Sequence, residues 1–170
     1  MLVLHNDIEL VPITAADEDF LCAVYTSARD EEMSLLTHWS EEEKKSFLEM
    51  QFRAQHSYYQ EQYPNAFFWL LVKDNEMIGR LYLDPQFANN SVRIIDITLL
   101  PPWRNQGIGR QVLLDVMAYA QELNRSVTIH VESFNPAMHL YKRLGFTLVS
   151  VTNGVYHLLE WKQKEPAAQA

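Results

Sequence analysis

The stretch Leu100-Pro101-Pro102-Trp103-Arg104-Asn105-Gln106-Gly107-Ile108-Gly109-Arg110 constrains the fold more than any other part of this sequence. Before it, Val92–Leu100 is rich in β-branched and aliphatic residues, as strands are, and Pro101-Pro102 stops it. After it, Val112, Leu113, Val116, Met117 and Ala120 recur at helical spacing, which predicts an amphipathic helix from Gly107 to about Leu123. A strand that passes through one short turn into a helix belongs to a layered arrangement of helices on a sheet.

The remaining segments agree with that class. Ile8–Ile13 reads as a short strand, with Pro12 favouring an edge. Thr14 caps a helix running to about Arg29, with Asp17, Glu18 and Asp19 at its positive end. Ser40 and Glu43 make a capping box for a helix from Glu41 to about Tyr63, along which Phe47, Met50, Ala54 and Tyr58 recur. Pro64 ends it. Phe67–Lys73, the turn Asp74-Asn75 and Met77–Leu83 form a hairpin, followed by a loop over Pro85–Asn90. Ser126–Val131 is a strand, and Asn135-Pro136 opens a short helix that ends at Gly145. Phe146–Val151 and Val155–Trp161 flank the turn Asn153-Gly154. The order is β-α-α-β-β-β-α-β-α-β-β. No repeat or composition break divides it, so one domain is expected over 1–162, with a tail over 163–170.

Composition removes several function classes. Of 170 residues 48% are apolar and 21% charged, which excludes a disordered chain. The net charge of −8 opposes a nucleic-acid binder, which needs clustered cations. The charge is uneven: residues 1–65 carry 13 acids and 4 bases, a net −9, while 66–170 carry 10 bases and 9 acids, a net +1. Such a split fits either a cationic partner or solvated helix surfaces. The single cysteine, Cys22, reads as a structural thiol, and the six histidines have no metal-ligand spacing. With no signal-peptide pattern and no run of about 18 apolar residues, the expectation is a cytoplasmic protein without a membrane segment.

The glycine junction also carries chemistry. The first N–H groups of a helix have no intrahelical partners and hold the positive end of the macrodipole. Gly107 and Gly109 place no side chain before them, so with Arg104 and Arg110 the junction suits a pyrophosphate. It is not a Walker loop, because no Gly-Lys-Ser/Thr follows, and Val112 stands where a dinucleotide fingerprint has its third glycine.

Arg104-Asn105-Gln106-Gly107-Ile108-Gly109 resembles the Arg/Gln-x-x-Gly-x-Gly/Ala motif of the GNAT superfamily of acyl-CoA-dependent N-acyltransferases. Ile97-Thr98-Leu99-Leu100-Pro101 is similar to the end of that family's fourth strand. Asn135-Pro136-Ala137, Tyr141 and Leu144-Gly145-Phe146 resemble its second acyl-CoA segment. The resemblance covers about residues 8–161. It implies a mixed, mostly antiparallel seven-stranded α/β fold with about four helices, splayed between strands 4 and 5.

The resemblance also implies roles. Acetyl-CoA or another acyl-CoA would be the donor, and no metal is required. The amides from Gln106 to Arg110, with Arg104 and Asn105, would hold its pyrophosphate. The exposed backbone of Thr98, Leu99 and Leu100 would pair with the pantetheine arm, and an amide near Leu99 would face the oxyanion. Asn135 would touch the same arm besides capping its helix. Tyr141 would protonate the departing thiolate, as a neutral phenol can; the other reading is a packed aromatic. Asp96 is the expected base, through a bridging water because Asp is short. A structural carboxylate bonded to a neighbouring strand or to Arg93 is its alternative, and Glu132, His130, Tyr82 and Glu32 are other base candidates. Glu31 and Glu32 would meet an ammonium group, and Trp39, Tyr82 and Phe134 would wall the acceptor pocket. The acceptor would be a small-molecule or peptide amine, and a homodimer is compatible with the reading. A lapsed acyl-CoA sensor or interaction module is the competing function.

Overall fold

The computed structural model describes residues 1–164 apart from Asn89, so the expected tail lies, beyond Lys164, outside the described residues. Seven strands are β1 (Ile8–Pro12), β2 (Phe67–Lys73), β3 (Glu76–Phe87), β4 (Ser91–Leu99), β5 (Ser126–Glu132), β6 (Thr147–Thr152) and β7 (Tyr156–Trp161). They form one sheet in the order β1-β2-β3-β4-β5-β7-β6. β4 and β5 pair in parallel, while β1 with β2, β5 with β7 and β6 with β7 pair antiparallel. The helices are α1 (Glu18–Ser27), α2 (Asp30–Ser34), α3 (Glu41–Gln62), α4 (Ile108–Glu122) and α5 (Met138–Arg143). The mixed α/β architecture is the one expected. The fifth helix is α2, which lies between the two helices read from the sequence before Pro64. A 3-10 turn over Ala15–Asp17 precedes α1, so that helix starts later than expected.

By its contacts the chain divides into two compact units. One holds Asn6–Tyr82 and Asp96–Gly109; the other holds Met1–His5, Leu83–Ile95 and the chain from Arg110 onward.

In the first unit, Leu21, Val24, Leu71, Ile78 and Leu81 are fully buried, each fully buried aliphatic side chain contributing about 1.5–3 kcal/mol. Ser40 Oγ accepts from the Glu43 amide at 3.1 Å and starts α3 as its sequence implied. The buried face of α3 is not the stripe expected. Leu48 and Phe52 are buried, with Gln55 and Tyr59 half-buried on the same face, whereas Met50 and Tyr58 are 61% and 57% exposed. Two apolar rows run along this helix one residue apart. Packing selects the row that brings Gln55 to a partner, Arg80. Asp74 and Asn75 both adopt left-handed backbone (φ 51° and 63°), the two-residue turn that matches strand twist between β2 and β3.

In the second unit, α4 buries Val112, Leu113, Val116, Met117 and Ala120, as its periodicity implied. β3 continues through Pro85 to Phe87, where a loop was expected; the fixed φ of proline suits extended backbone, and Asp84 Oδ1 accepts from the Gln86 amide at 3.0 Å. Asn153 and Gly154 are left-handed (φ 51° and 69°) and close the β6–β7 hairpin. The β4–β5 register covers Ser91–Ile94 against Ser126–Ile129, although β4 continues to Leu99 and β5 to Glu132.

Candidate active site

β4 ends at Leu99, a 3-10 turn covers Pro101–Trp103, and α4 begins at Ile108. Asn105 and Gly107 hold left-handed backbone (φ 59° and 82°), which folds the link back so that α4 presents its first turn. A Cβ at Gly109 would meet only Leu99 Cδ1, at 3.8 Å, and one at Gly107 would meet nothing within 4 Å. Neither glycine is crowded, so these residues fit the close approach of a diphosphate. Asn105, Gln106, Gly107 and Arg110 are exposed there. Arg104 is differently engaged from expectation. Its Nε donates to Leu99 O at 2.8 Å and its Nη2 to Ser27 Oγ at 3.3 Å, so it braces the end of β4 against α1. Gln106 Nε2 donates to Pro102 O at 2.6 Å.

The end of β4 is likewise only partly open. The Leu100 amide donates to Ile78 O at 2.8 Å, so it is paired with β3 and not exposed as expected. Strand alternation turns the Leu99 N–H to the side away from β3. The Leu99 carbonyl on that side is held by Arg104. Gly79 sets how closely β3 approaches: a Cβ there would lie 2.2 Å from Thr98 O.

Asp96 is one half of an ion pair. Arg80 Nε donates to Asp96 Oδ1 at 3.1 Å and Arg80 Nη2 to Oδ2 at 2.9 Å, while Thr98 Oγ1 donates to Oδ1 at 2.7 Å. Arg80 Nη2 also donates to Gln55 Oε1 at 3.0 Å. The Arg80 side chain is 2% exposed and that of Asp96 16%. Burial disfavours the guanidinium charge, but Asp96 and the neighbouring phenols outweigh it and hold Arg80 cationic. Arg93, the partner suggested by sequence, lies an odd number of residues from Asp96 and therefore on the other face of β4. Its Nε donates to Thr128 Oγ1 at 2.9 Å instead. Arg80 and Gln55 were missed by sequence reasoning. The available signal was an arginine and an aspartate each set in an apolar run, Ile78–Leu83 and Ile94–Leu99.

Tyr82 does not wall an open pocket. It is 1% exposed, packed edge-on against Tyr59 and Phe68, with Arg80 Cζ 4.8 Å from its ring centroid. Its buried hydroxyl makes no well-aligned hydrogen bond, and Arg80 is the polar side chain beside it. Burial raises the phenol pKa above its ordinary value, more than the nearby Arg80 lowers it, and burial does the same at Tyr59. Glu31 and Glu32 are exposed on α2, and Trp39 packs edge-on against Phe47 at 5.2 Å.

In the second unit Asn135 Oδ1 accepts from the Ala137 amide at 2.8 Å, and α5 begins at Met138, two residues later than Pro136 implied. Tyr141 lies one turn into α5, buried, its ring edge-on to Phe146 at 5.6 Å. Phe134 is 64% exposed. His130 Nδ1 lies 3.1 Å from Arg93 Nη1, and burial, then Arg93, lowers its pKa. Cys22 is half-buried. Among the described residues, no cluster of three or more His, Cys, Asp or Glu could hold a metal ion.

A family model described as the GNAT acetyltransferase family matches residues 33–146. The chain belongs to that family. This GNAT chain is 32% identical over 92 residues to the histone acetyltransferase MCC1 of Arabidopsis thaliana, covering 52% of this chain and 37% of that protein. It is 28% identical over 85 residues to the streptothricin acetyltransferase of Streptomyces lavendulae, covering 49% and 45%. The chain thus spans less than half the length of these curated relatives. Among solved structures, the PaiA N-acetyltransferase of Thermoplasma acidophilum, in complex with coenzyme A, shares the fold with a TM-score of 0.68 at 17% identity, over 92% of this chain and 99% of that one. A GNAT acetyltransferase of Elizabethkingia anophelis with acetyl-CoA bound shares it with a TM-score of 0.59 at 21% identity, over 93% and 99%.

Proposed function

We propose that this GNAT domain, over 1–162, transfers an acetyl group from acetyl-CoA directly to a primary amine. The observation that carries the reading is the entry to α4. There Asn105 and Gly107 hold left-handed backbone, and Gly107 and Gly109 put no side chain of their own before the helix's first amides. In this reading the amides of 106–110 and the Arg110 side chain hold the pyrophosphate. Arg104 acts indirectly, by fixing Leu99.

Bound acetyl-CoA supplies the thioester carbon that the amine attacks. The Leu99 N–H, turned away from β3, donates to the developing oxyanion. Tyr141 protonates the departing sulfur. Asp96 takes the proton of the incoming amine. Neither group needs a metal.

The acceptor is read as cationic. Residues 1–65 carry a net −9, and Glu31 and Glu32 stand exposed on α2. The relatives are named for a histone in one case and for streptothricin in the other, so both a peptide amine and a small-molecule amine fit. A half-buried lone thiol suits a reducing, cytoplasmic setting, and no helix of the described residues is long and apolar enough to cross a membrane.

The test is a thiol-release assay with acetyl-CoA across neutral, anionic and cationic amines, short peptides included. Cationic amines should have the highest kcat/KM, and that value should fall as salt rises. Equal rates for anionic amines would return the acidic surface to a solvating role. CoA binding without release for any amine would favour the sensor.

A further inference from the structure

Arg80 and Arg104 use the same edge of the guanidinium in two different ways. At Arg80, Nε and Nη2 grip the two oxygens of one carboxylate, a planar fork that lysine cannot offer. At Arg104 the same two nitrogens take separate acceptors: Nε donates to Leu99 O at 2.8 Å and Nη2 to Ser27 Oγ at 3.3 Å. A planar fork bonded to two elements is a stiff bridge between them. This one spans the end of β4 and the end of α1.

The bridge has defined roles at both ends. A guanidinium carries donors only, so Ser27 Oγ must accept. Its own proton goes to Val24 O at 2.8 Å, within α1, which leaves the oxygen's lone pairs for Arg104. α1 has no basic residue in its last turn, so Arg104 also brings a cation to the negative end of that helix. At the other end, Leu99 O and the Leu100 N–H belong to one peptide unit. Arg104 holds its oxygen and Ile78 O holds its hydrogen, each at 2.8 Å. The preceding peptide carries the Leu99 N–H, and its oxygen, Thr98 O, lies against Gly79. Where the Leu99 N–H points therefore depends on how firmly the peptide after it is held.

We infer that Ser27 is a positioning residue for acyl transfer: through Arg104 it fixes the Leu99–Leu100 peptide and so aims the Leu99 N–H at the thioester carbonyl. This rests on the reading of that N–H as the oxyanion donor. The carbonyl oxygen gains its charge in the transition state, so the alignment acts on kcat and not on the Kd for CoA.

Ser27→Ala, Ser27→Thr, Arg104→Met and the double variant of Ser27→Ala with Arg104→Met test this. Each is assayed with acetyl-CoA and with 1,4-diaminobutane or a short peptide amine, whichever turns over faster. Arg104→Met should lose about a hundredfold in kcat, the cost of misplacing a reacting group by about 1 Å. Ser27→Ala should lose about tenfold, since Arg104 keeps one of its two bonds, and Ser27→Thr, which keeps the hydroxyl, should regain most of that. Adding Ser27→Ala to Arg104→Met should cost nothing more. The Kd for CoA, measured by calorimetry, should stay within about twofold throughout. Infrared spectra of acetyl-CoA, isotopically labelled at the acetyl carbonyl and bound without an amine, need no turnover. Its carbonyl band should move to higher frequency in Ser27→Ala and Arg104→Met, as the hydrogen bond weakens, and stay in place in Ser27→Thr. Should Arg104→Met not fold, the two Ser27 variants carry the test.

Full kcat in Ser27→Ala beside an impaired Arg104→Met would overturn the inference and leave Leu99 as the donor. Full kcat and an unmoved band in Arg104→Met would overturn both. A weaker Kd for CoA with kcat unchanged would make Arg104 a diphosphate contact, and an equal loss from Ser27→Ala in both backgrounds would detach Ser27 from Arg104; either overturns the inference alone. If the unsubstituted protein releases no CoA with any amine, the transfer reading fails and the carbonyl band still decides the inference.

Discussion

At the entry to α4, polar groups of the backbone face outward and side chains are kept away; around Arg80, side chains turn inward and bind one another. The first arrangement depends on glycine and on left-handed backbone at Asn105 and Gly107. The second depends on charge complementarity between β3 and β4, with Gln55 reaching in from α3. An open anion site needs little from the rest of the molecule. A closed ionic cluster needs every member, because each buried charge is tolerable only with its partner present. Substitutions in the two regions should therefore separate binding from folding.

The largest effect is expected at Arg80. Arg80→Met leaves the partly buried Asp96 without its cation, and chemical denaturation should show a loss of about 1.5–3 kcal/mol, the worth of a charged hydrogen-bond pair. Adding Asp96→Leu should recover most of it, because an apolar pair no longer strands a charge. A small loss for Arg80→Met alone would break the comparison, since the cluster would then be as independent of its members as the α4 entry is.

Next comes Gly79→Ala, whose Cβ would lie 2.2 Å from Thr98 O. Relief requires β3 and β4 to part. Overpacking of this kind costs about 1–3 kcal/mol, and kcat should fall with it because Leu99 moves. Unchanged kcat would remove the Leu99 amide from the proposed chemistry.

The two junction glycines should then behave differently from each other. Gly107 sits at φ 82°, so Gly107→Ala strains the backbone by about 1–2 kcal/mol although nothing crowds the new methyl. At Gly109 the added Cβ makes only an ordinary contact with Leu99 Cδ1. Gly109→Ala should melt with the unsubstituted protein while its CoA affinity, measured by calorimetry, falls about tenfold through crowding of the close approach. Equal CoA affinity would mean that the diphosphate does not come close to this Cα.

The difference between the regions also explains what could be read from the sequence. The α4 entry is local: strand, prolines, glycines and helix lie within one stretch of chain, and each residue type has a fixed backbone meaning. The hairpin turns at Asp74-Asn75 and Asn153-Gly154 were legible for the same reason. The Arg80 cluster is not local. It joins residues on α3, β3 and β4, and only the strand register decides that Asp96 meets Arg80 while Arg93 points elsewhere. The buried face of α3 was hidden in the same way, because two apolar rows one residue apart both satisfy a helical period. Pro85 misled as a breaker, since an extended strand accommodates its fixed φ. The two bonds of Arg104, to Leu99 O and Ser27 Oγ, were not legible because the motif marks its position and not the atoms it meets.

The most direct test of the account is to incubate the protein with acetyl-CoA and a cationic amine and follow both products by mass spectrometry. The account predicts that the amine gains one acetyl group for each free CoA released, and that without an amine no CoA appears. CoA released without an acetylated amine, or acetyl-CoA bound and left intact beside every amine, would contradict it.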